Sequence, residues 1–381
     1  MTEKVKLNEI TDIYLGVTHT PEYVLDGVPF LSVKDISGGK ICFDECKFIS
    51  EKEYNSLSEG AKPKVGDMLF CRVGTIGKPI IIPEGTPLFG SFVSLGYLRN
   101  KAKDRCNLNY LRYWMYSNSF WKQVNKNVKG ASQVNLNTGW LSNFEITLPD
   151  FSEQTYIVSI LDKCKLIIER REEELKKVDN LIKARFVEMF GDPVRNSKNW
   201  NTEKLCSIAP INKYNGDIDT VNGKVWLLNL DMIESCTGNI VDFLYESENR
   251  ITSSTIKFDE NCVLYSKLRP YLNKVVIPER KGYATSELVS MSTEKINKYF
   301  LANLLRQDSF VNFSNATSYG AKMPRASMDL IKNFDVINPP AELQNQFSKL
   351  VLEVEKSKIV LQLLYSKVAI KSKIYNIRNQ K

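Results

Sequence analysis

The sequence has few of the residues from which metal sites and catalytic centres are built. It contains one histidine, His19, and eight scattered cysteines that form no CxxC pair. Because a Cys/His zinc site needs closely spaced ligand pairs, we expect no metal site, and we interpret the cysteines as buried, reduced thiols. No apolar run is long enough to span a bilayer, and the N-terminal residues lack an apolar signal region. These absences favour a cytoplasmic protein without membrane contacts.

Two short motifs resemble functional sequences but lack essential residues. Asn338-Pro-Pro-Ala341 resembles the Asn-Pro-Pro-aromatic loop of adenine methyltransferases, but alanine replaces the aromatic residue that would stack on an extruded base. The segment Gly74–Lys78 resembles a phosphate loop, but it is too short, and Pro79 stands where a magnesium-binding hydroxyl is needed. We therefore predict no catalytic activity and no cofactor.

Composition and charge suit a soluble protein with an anionic partner. The 381 residues are 43% hydrophobic and 25% charged, which is typical of a globular protein with two or three domains. The formal net charge is +8. A positive excess of this size suits a nucleic-acid partner, although many basic proteins bind none.

The sequence repeats itself at an offset of about half its length. Residues 110–154 align without a gap with residues 300–344, and ten of the 45 pairs are identical, where chance would give about three. Upstream, the offset moves to 195 and then to 196, and three further blocks keep their order. Because insertions collect in loops, offsets that move only between blocks indicate a duplicated fold.

Each copy combines a strand-rich part with a long helix. Short apolar runs between Gly and Pro, such as DMLFCRV and KPIIIP, predict strands. One helical stretch is predicted over residues 107–128. From Glu153 to Phe190 there is no Pro or Gly, and apolar residues recur at alternating steps of four and three, which predicts a coiled-coil seam. The seam residues are Ile157, Leu161, Cys164, Ile168, Leu175, Val178, Ile182 and Met189.

A second long helix is predicted after Pro340, and we expect it to pack antiparallel against the first. Its seam residues are Phe347, Val351, Val354, Leu361, Tyr365 and Val368. The alternative is a plain core helix of a single domain, but globular domains rarely need helices of this length.

The predicted fold class is therefore α+β, with two similar globular domains separated by two long antiparallel coiled-coil helices in a pseudo-two-fold internal repeat. The domains are expected at residues 1–150 and 194–340, and the long helices at residues 151–193 and 341–381.

The ordered blocks, present twice, resemble the specificity subunits of type I restriction-modification systems. The blocks in the first copy are Pro29–Asp35, Val65–Arg72 leading to Gly74–Lys78, Gly130–Asn137 and the helix start Pro149–Gln154. The resemblance covers essentially the whole chain. The second copy departs from the pattern at Ser266–Pro270 and Ala321–Arg325, as two half-sites of different sequence would require.

This resemblance implies that each globular copy is a target-recognition domain that reads one half of a bipartite site in double-stranded DNA. It also implies that the helices set the gap between the half-sites and dock two methyltransferase subunits, and then restriction subunits. Recognition combines phosphate contacts with side-chain contacts to base edges. The candidate DNA-binding residues are Lys34, Arg72, Lys78, Gln133 and Asn135 in the first copy and Lys267, Arg269, Lys322 and Arg325 in the second.

Other interpretations remain open at the level of the sequence. For each candidate residue, the alternative to a DNA contact is an ordinary solvated position in a loop. A coiled-coil adaptor without DNA contacts is an alternative function, and it predicts no salt-dependent affinity for duplex DNA. A stand-alone methyltransferase with a degenerate motif is another, and it predicts binding of S-adenosylmethionine by the isolated chain.

Overall fold

The chain divides into two units between Glu169 and Arg170. The computed structural model describes residues 2–36, 39–74, 76–127, 135–211 and 214–358. Within these ranges, no helix is both long and apolar enough to cross a membrane. Both units mix strands and helices, as the sequence predicts.

In the described part of the first unit, short strands and short helices precede a long helix. The strands are β1 (Glu3–Lys6), β2 (Thr11–Leu15), β3 (Tyr23–Val24), β4 (Val28–Leu31), β5 (Lys47–Ile49), β6 (Met68–Cys71), β7 (Gly77–Ile81), β8 (Gly90–Ser91), β9 (Leu95–Asn100) and β10 (Glu145–Leu148). The helices are α1 (Leu7–Ile10), α2 (Val33–Ile36), α3 (Glu51–Ser56), α4 (Leu108–Trp114), α5 (Asn118–Asn127), α6 (Thr138–Ser142) and α7 (Phe151–Phe190), of which α7 continues into the second unit.

The described strands of the first unit form three sheets. One is antiparallel with the order β2-β9-β6-β7, and another has the order β3-β5-β4-β8, in which β4 and β8 are parallel. The third is the antiparallel pair of β1 and β10. All four residues of β6 are buried, because the sheet is covered on both faces, which explains why its sequence is apolar throughout.

The predicted single helix over residues 107–128 is wrong, since the structure has two helices, α4 and α5, separated at Met115–Ser117. The backbone N–H of Ser117 bonds to the carbonyl of Trp114, and its hydroxyl accepts from the N–H of Phe120 at 3.3 Å. Serine thus caps α5. No Pro or Gly marks this break, so the periodicity of the sequence did not reveal it.

The second unit contains a matching set of elements. Its strands are β11 (Thr202–Lys204), β12 (Thr220–Val221), β13 (Lys224–Leu228), β14 (Leu244–Ser247), β15 (Thr255–Phe258), β16 (Cys262–Ser266), β17 (Val275–Val276), β18 (Gly282–Thr285), β19 (Leu288–Ser292) and β20 (Asp335–Ile337). Its helices are α8 (Leu205–Ile208), α9 (Lys298–Leu305), α10 (Asp308–Ala316), α11 (Met328–Lys332) and α12, which is described over residues 341–358.

Several strand pairings of the second unit correspond to those of the first. Strand β16 pairs antiparallel with β17 and β19, as β6 does with β7 and β9. Strands β13 and β18 are parallel, as are β4 and β8. Strands β11 and β20 pair as β1 and β10 do. The repeat found in the sequence is thus accompanied by several shared strand pairings.

A glutamine holds the start of each long helix in the same way. The side-chain oxygen of Gln154 accepts from the N–H of Asn107 at 2.8 Å, and its amide donates to the carbonyls of Arg105 and Pro149. In the second unit, Gln344 accepts from the N–H of Asn297 at 3.0 Å and donates to the carbonyl of Pro339. Both glutamines are buried, so these bonds satisfy backbone groups that water cannot reach.

Helix α7 confirms the long helix that the sequence predicts. Its 40 residues correspond to about 60 Å. It begins after Asp150, whose carboxylate accepts from the N–H of Glu153 at 2.9 Å, and it ends before Gly191, which adopts a φ of 77°. Every predicted seam residue of α7 is buried or half-buried.

Within the second unit, the last turns of α7 pack on the first turns of α12. The rings of Phe186 and Phe347 lie 5.5 Å apart between centroids, and Lys358 forms ion pairs with Asp179 and Glu355. Residues nearer the end of α7 contact residues nearer the start of α12, so the two segments run in opposite directions. Phe347 and Val351 are buried as expected, whereas Leu361, Tyr365 and Val368 lie outside the described residues.

The prediction that the cysteines are buried is only partly correct. All eight are free thiols, and Cys46, Cys71, Cys106 and Cys262 are buried. Cys42, Cys206 and Cys236 are exposed, however, and Cys164 is half-buried. Burial raises the pKa of the Cys106 and Cys262 thiols to about 12, which keeps them protonated.

Candidate nucleic-acid interface

In the first unit, two loops that are distant in sequence lie side by side. Arg72 directly follows β6, and its carbonyl accepts from the N–H of Leu136 at 2.9 Å. Val73 forms a bridge with Asn135. Arg72 and Asn135, both predicted site residues, are therefore brought close together, while Gln133 lies outside the described residues. We call these segments, residues 72–74, 76–78 and 135–137, the first loop pair.

The side chain of Arg72 is partly used to hold this loop pair together. Its Nε donates to the carbonyl of Leu136 at 3.0 Å, and one terminal nitrogen donates to the carbonyl of Val93 at 3.1 Å. The side chain is half-buried. Because its acceptors are 64 and 21 residues away, the sequence alone did not indicate this role.

The other two candidates of the first unit have different positions. Lys78 lies in β7 next to Gly77, and both residues have positive φ values, of 49° and 87°. For a lysine this is an uncommon conformation, of the kind found at tight turns and functional sites. Lys34 lies exposed on α2, which follows β4, a strand of a different sheet from β6 and β7.

The second unit has the same backbone arrangement with different side chains. The carbonyl of Lys267 accepts from the N–H of Ala326 at 2.8 Å, and Leu268 forms a bridge with Arg325. At the repeat offsets, these residues correspond to Arg72, Leu136, Val73 and Asn135 respectively. The N–H of Arg269 also donates to the carbonyl of Pro324 at 2.7 Å. We call these segments, residues 267–273 and 319–326, the second loop pair.

Arg325 is held by a carboxylate that the sequence did not indicate. Its guanidinium donates to both side-chain oxygens of Glu287, at 2.7 and 3.3 Å. The hydrogen bond from Arg325 keeps the pKa of Glu287 below its usual value, and the same bond raises the pKa of Arg325. Glu287 lies in the turn between β18 and β19, 38 residues from Arg325, so no local pattern could have paired them.

The tip of the second loop pair has an unusual backbone. Arg269 and Asn273 both adopt left-handed conformations, with φ values of 49° and 46°, on either side of a 3-10 turn over Pro270–Leu272. The Nε of Arg269 is buried and has no hydrogen-bond partner within the described residues. Tyr271 and Tyr319 are 50% and 63% exposed.

Both loop pairs therefore present cations and polar groups on one backbone framework. Lys322 is exposed in the second pair, and the exposed tyrosines beside it add apolar surface. Guanidinium and ammonium groups bind phosphate oxygens and the acceptor edges of bases. None of the described residues forms a cluster of three or more His, Cys, Asp or Glu that could hold a metal ion.

Known proteins resemble this chain in sequence and in fold. A family model described as the type I restriction modification DNA specificity domain matches residues 3–178. The specificity subunit of the EcoDI type I restriction enzyme from Escherichia coli is 22% identical over 275 residues, covering 63% of this chain and 61% of that protein. The MjaVIII specificity subunit from Methanocaldococcus jannaschii is 24% identical over 193 residues, covering 46% and 42%.

Two solved structures share the fold. One, from work on complex assembly and conformational transition of the type I R-M system, has a TM-score of 0.57 at 13% identity and covers 99% of this chain and 97% of that chain. The other, the type I S subunit from M. genitalium, has a TM-score of 0.54 at 12% identity and covers 99% and 95%.

Over the matched residues, the chain is therefore similar to type I restriction-modification specificity proteins. The family model matches residues 3–178, less than half of the 381 residues, and this range includes the blocks of the first copy. The chain spans less than two thirds of the length of the curated relatives that it matches, 61% and 42%.

Proposed function

We propose that this chain is the DNA-reading subunit of a type I restriction-modification complex and has no catalytic activity of its own. Each unit binds one half of a bipartite target in double-stranded DNA. The observation that supports this most directly is the pair of equivalent loops: the backbone hydrogen bonds are the same, whereas Arg72 and Asn135 are replaced by Lys267 and Arg325. The same backbone hydrogen bonds with different side chains suit two half-sites of different sequence.

The candidate residues divide into two roles in this proposal. Exposed lysines, among them Lys34 and Lys322, contact phosphates, which supplies affinity without sequence preference. Asn135, Gln133 and Arg325 reach base edges, where an amide pairs with adenine and a guanidinium with guanine. Arg72 and Arg325 each have two nitrogens bonded within the protein, Arg72 to two carbonyls and Arg325 to Glu287, so each contacts DNA through its remaining N–H groups.

The long helices provide the spacer and the docking platform. The opposed contacts between α7 and α12 support an antiparallel coiled coil that holds the recognition domains, residues 1–150 and 194–340, at a fixed separation. Two methyltransferase subunits dock on these helices, and restriction subunits assemble with them in the cytoplasm. The names of the relatives, specificity subunits of type I restriction enzymes, support this assignment.

The adaptor alternative has no support from the comparisons, because the matches are a DNA specificity domain, specificity subunits and a chain of the type I system. The two functions also differ in a measurable property. A DNA-reading subunit must bind duplex DNA with an affinity that falls steeply as salt rises, since bound cations are released from the phosphates.

The decisive experiment maps DNA methylation in a host that expresses this chain with its cognate methyltransferase subunits. We expect a new methylated-adenine motif made of two short half-sites separated by an unread gap. A continuous motif, or the same motif in a host that lacks this chain, would contradict the proposal.

A further inference from the structure

A polar groove on the first unit lies outside the loop pairs. It has a volume of about 900 Å³ and lies between α5, α6 and the β1–β10 pair. Three lysines line it, Lys4 from β1 and Lys122 and Lys126 from α5, together with a single acidic residue, Glu145. Trp140 of α6 forms part of the wall and is 39% exposed.

The three lysines are available to a ligand. All are exposed, and none forms an ion pair with another residue in the part of the chain that the structure describes. Ammonium groups on flexible stems bind anions as point charges, and phosphate is a common partner. Asn118, on the same face of α5, adds an amide that can donate to the same oxygens.

The corresponding surface of the second unit lacks these lysines and carries carboxylates instead. At the repeat offset of 190, Lys122 and Lys126 correspond to Asn312 and Ala316, and the pairing of β11 with β20 places Thr202 where β1 has Lys4. Trp140 corresponds to Leu330. The counterpart positions carry three aspartates and no lysine; the aspartates are Asp308, Asp329 and Asp335.

This difference argues against a partner that docks once on each unit. Such a partner needs the same chemistry in both places, and it would meet lysines in one unit and carboxylates in the other. DNA is different, because two half-sites need not be held equally strongly. Two of the three aspartates are also engaged, since Asp308 pairs with Lys183 at 2.9 Å and Asp335 with Lys204 at 2.8 Å.

Helix α5 connects the groove to the first loop pair. On another face of this helix, the indole of Trp121 lies 3.6 Å from the position that a Cβ on Gly77 would occupy. Gly77 precedes Lys78 in the loop pair, so one helix borders both surfaces. The backbone of a DNA strand that passes the first loop pair can thus continue across α5.

We propose that the groove binds backbone phosphates of the DNA that flanks the first half-site, and that the second unit has no equivalent contact. This inference rests on the proposed function and adds an asymmetry to it. The lysines contribute affinity and salt dependence, whereas the sequence of the target is read by the loop pairs.

The test replaces the three lysines by their counterparts in the second unit, as Lys4→Thr, Lys122→Asn and Lys126→Ala in the full chain. Binding is measured as a function of salt on two duplexes that carry the mapped target. One ends at the outer edge of the first half-site, and the other extends one helical turn, about 10 base pairs, beyond it. The matched control removes three exposed lysines elsewhere, as Lys52→Gln, Lys103→Gln and Lys163→Gln.

On the longer duplex, we expect the variant to flatten the logarithmic salt slope by about three units, one for each lost phosphate contact. The variant should bind both duplexes equally, whereas the parent chain and the control prefer the longer one, and the methylated motif should stay the same. If the parent chain and the variant preferred the longer duplex to the same extent, the inference would be overturned. So would unchanged DNA binding with lost association of the methyltransferase, which would make the groove a protein site. A parent chain that binds neither duplex would instead refute the proposed function itself.

Discussion

At the scale of single residues, an ion pair inside the first unit illustrates how the two copies have diverged. Asp67 is 3% exposed, and Arg99 donates to both of its side-chain oxygens, at 2.9 and 2.7 Å. This hydrogen bond raises the pKa of Arg99. The corresponding pair in the second unit is Cys262 and Ser292, which face each other across β16 and β19. The same sheet therefore tolerates either an ion pair or two small side chains.

We predict that Asp67→Asn destabilises the first unit by about 2 to 3 kcal/mol, because the partly buried guanidinium of Arg99 loses its counter-charge. The double variant Asp67→Cys/Arg99→Ser should lose less, since neither charge remains. Urea denaturation monitored by circular dichroism gives both free energies of unfolding. A double variant that is less stable than Asp67→Asn would show that the pair itself is favourable.

Predictions for single residues were limited, because many of the residues that contact each other lie far apart in the sequence. The sequence proposed Arg72 and Arg325 as DNA-contacting residues, and this assignment stays a prediction. It could not reveal that Arg72 bonds to carbonyls or that Glu287 holds Arg325. Such contacts depend on how strands pair, and no local pattern encodes the partner.

At the scale of elements, the contact between α7 and α12 contains a buried charge. Lys358 is 6% exposed and is held by Asp179 and Glu355, whose side chains are about one third exposed. Close by, burial of the Arg306 guanidinium lowers its pKa, and the charges of Glu355 and Asp179 offset part of this shift. The carboxylates thus serve two cations, and a polar contact of this kind favours one register between neighbouring helices.

We predict an asymmetric response to removing the members of this cluster. Lys358→Met should lower the free energy of unfolding by about 1 to 2 kcal/mol, because the partly exposed carboxylates remain hydrated. Asp179→Asn/Glu355→Gln should cost more, about 3 to 5 kcal/mol, because it leaves a buried ammonium group unpaired. Thermal and urea unfolding of the second unit measure the difference. Equal costs would mean that Lys358 reaches water in solution.

Elements were predicted from the sequence with unequal success. The seam with its period of 3.5 residues identified α7 to within two residues at its start, because few structures besides a long helix produce an amphipathic pattern of this length. The break between α4 and α5 was missed, because a serine cap resembles any other serine in the sequence. The strands were indicated as apolar runs, but the parallel pairing of β4 with β8 required the structure.

At the scale of the whole molecule, the repeat makes the two proposed recognition functions separable. Each unit has its own hydrophobic clusters, its own loop pair and its own glutamine at the helix start. The proposed recognition residues are not shared between the units. One unit should therefore be replaceable without changing what the other reads.

We predict that exchanging residues 1–150 for the corresponding segment of a related chain changes one half of the methylated motif. The other half and the gap should stay the same, because residues 194–340 and the helices are untouched. Methylome sequencing of the host reads both halves in one experiment. If both halves changed together, the units would not read independently.

The glutamine contact bears on where this chain could be joined to a segment of a related chain. The groups that Gln154 joins lie upstream of it in the chain, with Asn107 and Arg105 far away and Pro149 close by. If a recombination breakpoint lies within α7 after Gln154, all of these groups come from the same parent. A breakpoint between Asn107 and Gln154 combines donor and acceptor from different parents. Descendants of the first kind of crossover inherit an intact anchor, so viable hybrid alleles should carry their junctions in the helix.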